Sequence, residues 1–223
     1  MKKAVVLMLC VPLVIFAVPA NERLSSALSI LRELSSIPDS GAFVELLRQS
    51  EGVAIFPSLI RVGLVIGGQY GEGFLLKRDV PSGKWYGPVF LKLTGLSLGA
   101  QLGIQNVGLV LVLMNEQAVK NLVSGNVTLG GNISIAAGPM GRSLSAETDY
   151  RLQSSIYSYS VSKGFFAGLS LQGSIVQVDN DANKEYYGSL LTSDEMMRRE
   201  PQTKEAVELI KYLNSMIYLQ PGE

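Results

Sequence analysis

The 223-residue sequence has no histidine, and its single cysteine, Cys10, falls in an apolar N-terminal stretch. Without histidine, the usual general base near neutral pH and the commonest metal ligand are both missing. Without further cysteines, a disulfide framework, a thiolate zinc site and thiol catalysis are excluded from everything beyond that stretch. Charge is sparse: Asp, Glu, Lys and Arg make up 17% of the chain, balanced at 19 basic and 19 acidic residues. A nucleic-acid binder needs a basic face, so that class is set aside. No long-period repeat is present, since the recurrence of Gly95-Leu-Ser-Leu98 as Gly168-Leu-Ser-Leu171 is too short to mark a duplication. The chemistry left points to a binding module that works through shape and surface.

The first residues read as a secretory leader. Lys2 and Lys3 form a positive start, Ala4 to Ala17 is an uncharged apolar run, and Val18-Pro19-Ala20 offers small residues for cleavage before Asn21. A membrane anchor is the rival reading, but the run is short of the roughly 20 residues a span needs, and Pro12 interrupts it. Export to a periplasmic or extracellular location is therefore expected. The chain from 21 to 223 is expected to be one domain, long enough to bury roughly 70% of its unfolded surface without staples. Removing Lys2 and Lys3 leaves 17 basic residues against 19 acidic, a net charge of −2.

Apolar spacing predicts an amphipathic helix over Asn21 to Leu34, capped by Asn21. Leu24, Ala27, Leu28, Leu31 and Leu34 share one face, and Arg23, Arg32 and Glu33 take other positions. A second short helix covers Ala42 to Gln49. The pattern then turns strand-like: Val53 to Phe56 ended by Pro57, Val62 to Ile66, Gly73 to Arg78, Lys84 to Leu93, Gly95 to Ile104, and Val107 to Met114. The last of these is almost wholly apolar and is expected to be buried on both faces. Asn115 caps a short helix to Val123. Shorter strands are expected at 126–129, 133–137, 155–162 and within 164–179, with 146–153 strand or loop. A polar turn is placed at Asn180 to Asn183, and a last helix runs from Pro201 to about Leu219. Glycines within so many strands favour bends and close backbone approach. The expectation is an α+β fold: a strongly bent, mostly antiparallel glycine-rich sheet, a small barrel or a sandwich, between N- and C-terminal amphipathic helices.

Local motifs offer little chemistry. Gly95-Leu-Ser97-Leu-Gly99 has the spacing of a serine-hydrolase nucleophile elbow, but that chemistry wants a strand-to-helix turn and a histidine. Gly67-Gly-Gln-Tyr-Gly-Glu-Gly73 has the glycines of a phosphate loop, yet a strand pattern follows rather than a helix, and a bend is the better reading. Asp179, Asp181 and Asn183 begin like a calcium loop, but Lys184 and Leu190 stand where Gly and Glu are needed. They are expected to form a solvated turn capping the next helix, and remain a weak metal candidate. No cofactor motif is found. Lys77, Arg78 and Lys84 bracket one hairpin beside Trp85. They are read either as a cationic tip for lipid headgroups or as solvated charges guarding a sheet edge.

Several ordered motifs together resemble the SYLF domain. They are Gly52-Val-Ala-Ile-Phe-Pro57, Gly67-Gly68 with Gly71 and Gly73, Trp85 with Pro88, Gly95, Gly99 and Gly103, Val110-Leu-Val-Leu-Met114, and Ala137-Gly-Pro-Met-Gly-Arg142. Tyr159-Ser-Val-Ser-Lys-Gly164, Phe166-Ala-Gly168, Leu171-Gln-Gly-Ser174 and Tyr186-Tyr-Gly188 complete the match over about 25–195. The resemblance implies a non-enzymatic lipid-binding domain whose eukaryotic relatives bind phosphoinositides and regulate actin, using an amphipathic N-terminal helix and basic surface residues. Carried onto this chain, it implies lipid contacts by Leu24, Leu28, Leu31, Arg32, Lys77, Arg78, Lys84, Trp85 and Lys163, with membrane phospholipid as partner. Three competing readings stay in play: the leucine face merely covers the core, the chain is an outer-membrane β-barrel, or it is a small hydrolase using Ser97.

Overall fold

A computed structural model describes residues 17–37, 40–63, 66–98, 103–139, 154–162, 165–166 and 170–218. Strands β1 (Gly52–Gly63), β2 (Ile66–Asp79), β3 (Lys84–Leu98) and β4 (Gly103–Leu113) are long and antiparallel, in the spatial order β3-β2-β1-β4. Short strands extend both edges. Beyond β3 come β9 (Ile175–Val178) and β5 (Val127–Thr128); beyond β4 come β7 (Ile156–Ser162) and β6 (Ile135–Ala137), with β8 (Phe165–Phe166) on β7. The pairing of β6 with β7 is parallel. The result is a single, strongly curled half-barrel that is mixed but mostly antiparallel. Among the described residues the strand order runs from β5 to β6 without closing, so the sheet is neither a closed barrel nor two packed sheets.

Six described helices dress this sheet: α1 (Ala20–Ser36), α2 (Gly41–Gln49), α3 (Glu116–Leu122), α4 (Asn180–Tyr187), α5 (Ser193–Met196) and α6 (Lys204–Tyr218). One face of the sheet packs under α1, α2, α4 and α6 in a core holding Leu24, Leu31, Phe43, Phe74, Phe90, Val110 and Leu213. The other face encloses a second core of Phe56, Leu59, Leu75, Leu91, Leu109, Leu111, Leu122 and Val176. In β4 the residues Val107 to Leu113 are all buried, and successive side chains from Leu109 onward alternate between the two cores. The expected two-sided burial of this run follows from that position.

Several boundaries differ from the sequence reading. Pro57 does not end β1; the strand continues to Gly63 through an irregularity at Ile55/Ser58, a place where a missing N–H is tolerated. That irregularity also reverses facing, so Val53 and Ile55 enter the helix-side core while Leu59 enters the other. Val62 is not the start of a strand but lies near the end of β1. Gln105 and Asn106 lie within β4 rather than joining two strands. The glycines from Gly67 to Gly73 are strand interior, not a bend. Gly73 is needed because a Cβ there would sit 2.2 Å from the Ile55 carbonyl oxygen. Asn21 does not cap α1: Pro19 holds that position with no side-chain cap, and the Arg23 N–H bonds the Pro19 carbonyl at 3.1 Å. Asn115 caps α3 as expected, its Oδ1 accepting the Ala118 N–H at 2.8 Å. The segment 146–153 lies outside the described residues.

Candidate binding surface at the open end of the sheet

Cross-strand register orders the helix-covered face of the sheet into rows. The row Phe74–Phe90 is roofed by helices. The next row is Glu72 opposite Lys92. Onto it α1 lowers Arg23, whose guanidinium pairs with Glu72 at 3.0 Å and with Asp179 at 2.9 Å. Lys92 reaches Asp179 at 2.9 Å. Arg23 was expected off the leucine face; instead it is buried on the core side of α1, with 2% of its side chain exposed. A buried arginine is tolerated there because two carboxylates and the Val18 carbonyl occupy its donors, the last accepting from Nε at 2.8 Å. Burial pushes the Asp179 carboxyl up, but hydrogen bonds from Lys92 and Arg23 outweigh it and hold the group below the ordinary carboxylate value. The Tyr70 hydroxyl donates to Glu72 Oε1 at 2.6 Å; its burial, with that carboxylate alongside, keeps the phenol neutral to well above its usual value.

Beyond the ionic row lies Asn106–Ile60–Tyr70–Thr94, and then Ile104–Val62–Gly68–Leu96 at the end of the sheet. A cleft of about 250 Å³ opens between the start of α1 and the strands, lined by Val18, Glu22, Ser26, Pro57, Ile60 and Tyr70. Past it, among the described residues, the roof stops. Leu96 is 72% exposed, Ile104 70% and Val62 39%. These three, in register across four strands, form an uncovered apolar lip roughly 14 Å wide, taking a strand spacing of about 4.8 Å. Gly68 leaves a hollow in the lip, since a Cβ there would meet nothing within 4 Å.

The residues expected to touch lipid are distributed otherwise. Leu24 and Leu31 are fully buried in the helix-side core, and Leu28 packs against it, so the leucine stripe of α1 faces the protein. Arg32 is exposed, its guanidinium 5.8 Å from the Tyr212 ring centroid. Arg78 and Trp85 are not a solvated tip. Arg78 is buried and donates to the Arg48 carbonyl at the end of α2 at 2.6 Å and to the Tyr218 hydroxyl at 3.1 Å. Trp85 is buried beside it, its Nε1 donating to Asn214 Oδ1 at 2.9 Å. The pair locks α2 and α6 onto the hairpin. Lys77 and Lys84 are at the surface and paired with Glu116 at 3.7 Å and Glu200 at 2.7 Å. Lys163 lies outside the described residues.

Asp179, Asp181 and Asn183 do not converge on a cation. Asn180 to Asn183 is the first turn of α4 rather than a separate polar turn, and Asp179 caps it by accepting from the Ala182 N–H. The cap is buried, not solvated, because the same carboxylate serves Arg23 and Lys92. Asn183 accepts the Phe90 N–H at 2.8 Å and donates to the Phe90 carbonyl at 3.1 Å. Among the described residues no group of three or more His, Cys, Asp or Glu is placed to hold a metal. Ser97 sits inside β3, paired with Gly67, which is not the strand-to-helix turn that a nucleophile elbow requires. No described helix is long and apolar enough to cross a membrane.

The sequence reading did not find Glu72, Lys92 and the lip. Arg23 had a signal, falling four residues before Ala27 of the apolar stripe; the lip shows only once the register is known.

Comparison with known proteins gives a consistent answer. A family model described as Ysc84, Las17-binding protein actin regulator, matches residues 94–216. SH3 domain-containing YSC84-like protein 1 of Rattus norvegicus is 33% identical over 207 residues, covering 89% of this chain and 60% of that protein. The Xenopus laevis protein of that name is 35% identical over 179 residues, covering 77% and 53%. Protein YSC84 of Saccharomyces cerevisiae is 32% identical over 176 residues, covering 77% and 37%. The chain thus spans about 60% or less of the length of these relatives. With the family model covering more than half of the sequence, and a relative 33% identical over 89% of the chain, the chain belongs to the Ysc84 family, the family of the SYLF domain.

Proposed function

We propose that this protein is a non-enzymatic, exported lipid-binding protein that engages phospholipid at a membrane surface through the lip of Val62, Leu96 and Ile104. The observation that carries this reading is the exposure of two large aliphatic side chains, Leu96 and Ile104, in register with Val62 at one end of the sheet. Aliphatic side chains held at a sheet's end, rather than on a helix, enter the interfacial zone without any change in fold. Full burial of each would contribute about 1.5–3 kcal/mol. The net charge of −2 left after leader removal offers no general attraction to anionic bilayers, so headgroup charge is secondary to insertion. Membrane entry by α1 would instead require its buried leucines to leave the core. The names of the relatives speak of Las17 binding and actin regulation; no surface feature described above favours a protein partner over lipid.

The test is vesicle flotation of the protein lacking its leader with phosphatidylcholine–phosphatidylglycerol vesicles. The double variant Leu96→Asp, Ile104→Asp is expected to lose at least ~10-fold in bound fraction, with its circular dichroism unchanged, since both side chains are in solvent. Equal flotation by wild type and variant would overturn the reading.

A further inference from the structure

We infer that the mature protein begins at Val18, not Asn21, and that its new α-ammonium forms an ion pair with Glu72. The inference rests on the export reading above. Leader peptidases require a small residue before the cut, and two alanines satisfy this. Ala20 follows Val18-Pro19, and Ala17 follows Ile15-Phe16. By residue size at the third position before the cut, Val18 against Ile15, the sequence favours Ala20, but the fold favours Ala17.

A cut after Ala20 discards parts of the folded domain. Ala20 is buried in the helix-side core. The Pro19 carbonyl accepts the Arg23 N–H. The Val18 carbonyl accepts from Arg23 Nε, and the Val18 N–H donates to Glu72 Oε2 at 2.8 Å. Losing these leaves a guanidinium donor without its partner inside the protein.

A cut after Ala17 keeps every one of these contacts. Ala17 itself is exposed. Hydrolysis by a leader peptidase of the exporting membrane adds water across the Ala17–Val18 peptide bond. Ala17 leaves as a carboxylate, and the Val18 nitrogen becomes an ammonium. That nitrogen already sits at ion-pair distance from Glu72, whose side chain is 5% exposed. The ammonium joins a row in which the carboxylates of Glu72 and Asp179 face Arg23 and Lys92, with exposed Glu22 at the edge of the same cleft. The remaining titratable group at the site, Tyr70, stays neutral. Processing thereby adds a third cation to the ionic row under the start of α1.

The full chain with its leader is expressed in an exporting bacterial host, and the envelope fraction is analysed by intact mass and N-terminal sequencing. A chain starting at Val18 is expected. A start at Asn21 overturns the inference while leaving export intact; an uncut chain overturns both. A second measurement does not depend on the peptidase. In protein produced with Val18 as its first residue, the Glu72→Gln variant is expected to label at the α-amine about 10-fold faster near neutral pH, as loss of the pair lowers the amine pKa by about one unit. Unchanged labelling would overturn the ion pair.

Discussion

At the residue scale, the network under α1 joins positions with no sequence relationship. Arg23 and Asp179 are 156 residues apart, and nothing in the spacing of acidic residues marks Asp179 or Glu72 as its partners. Only the spacing of Arg23, four residues before Ala27, carried a signal of burial, although the residue was expected off the leucine face. Breaking a buried pair from one side strands the other charge and costs about 3–5 kcal/mol, so Asp179→Asn is expected to lower the unfolding free energy by that much near pH 7, read as a lower urea midpoint. The pair also has an acid limit. The folded Asp179 titrates below its unfolded value, near 3.9. Its stabilisation is therefore complete above about pH 4 and disappears as pH falls through the lower folded value. Denaturation curves at stepped pH should show a loss of stability below pH 4 that is reduced in Asp179→Asn. The glycines can be tested in the same way. Gly73→Ala drives a Cβ into the Ile55 carbonyl and is expected to destabilise by more than about 2 kcal/mol. Gly68→Ala meets nothing and should stay within about 0.5 kcal/mol of wild type. The sequence pattern alone ranks the two glycines alike.

At the element scale, helices were read more closely than strands. A helix buries a stripe at 3.6-residue spacing, which survives errors at its ends; α1, α2 and α3 begin and end within about two residues of their expected bounds. The strands were misdivided where a proline or a polar pair interrupts them. Pro57 and Gln105-Asn106 look like breaks, yet β1 absorbs the proline at an irregularity, and the amide side chains of β4 lie near the sheet's open end, where polar residues meet solvent. For α1 the unresolved question was what its leucines face, and sequence cannot decide that: a membrane and a core select the same stripe. The packing implies that truncation in α1 affects stability without affecting lipid. Leu31→Ala, at a fully buried site, should cost about 2–5 kcal/mol, while vesicle flotation measured below its melting temperature should match wild type. Selective loss of flotation in this variant would return the membrane role to α1.

At the scale of the whole molecule, the choice between barrel and sandwich was beyond the sequence, because alternation along a strand reports two faces and not how a sheet ends. The answer is an open, curled sheet that serves as the wall between two cores, with β4 contributing to both. Helices covering one face are at odds with an outer-membrane barrel, whose outer surface is a continuous lipid-facing band. The helix-side core is closed by the chain's last described element. Leu209, Leu213, Met216 and Ile217 of α6 complete the core begun by Leu24, Leu31 and Phe43. Polar links fix the same helix: Arg48 Nε donates to the Ile217 carbonyl at 3.1 Å, Trp85 to Asn214, and Ser35 pairs with Tyr212 at 2.6 Å. Truncation before Lys204 would uncover the stripe of α1 and leave Arg78 without its Tyr218 partner. The second core, on the far side of the sheet, would keep its own residues. The truncated chain should therefore retain most of its strand signal in far-ultraviolet circular dichroism but bind ANS and lose a sharp thermal transition, the behaviour of a collapsed chain without fixed packing. A single cooperative transition like that of the full domain would show instead that the far-side core alone carries the fold, and that α6 is an appendage.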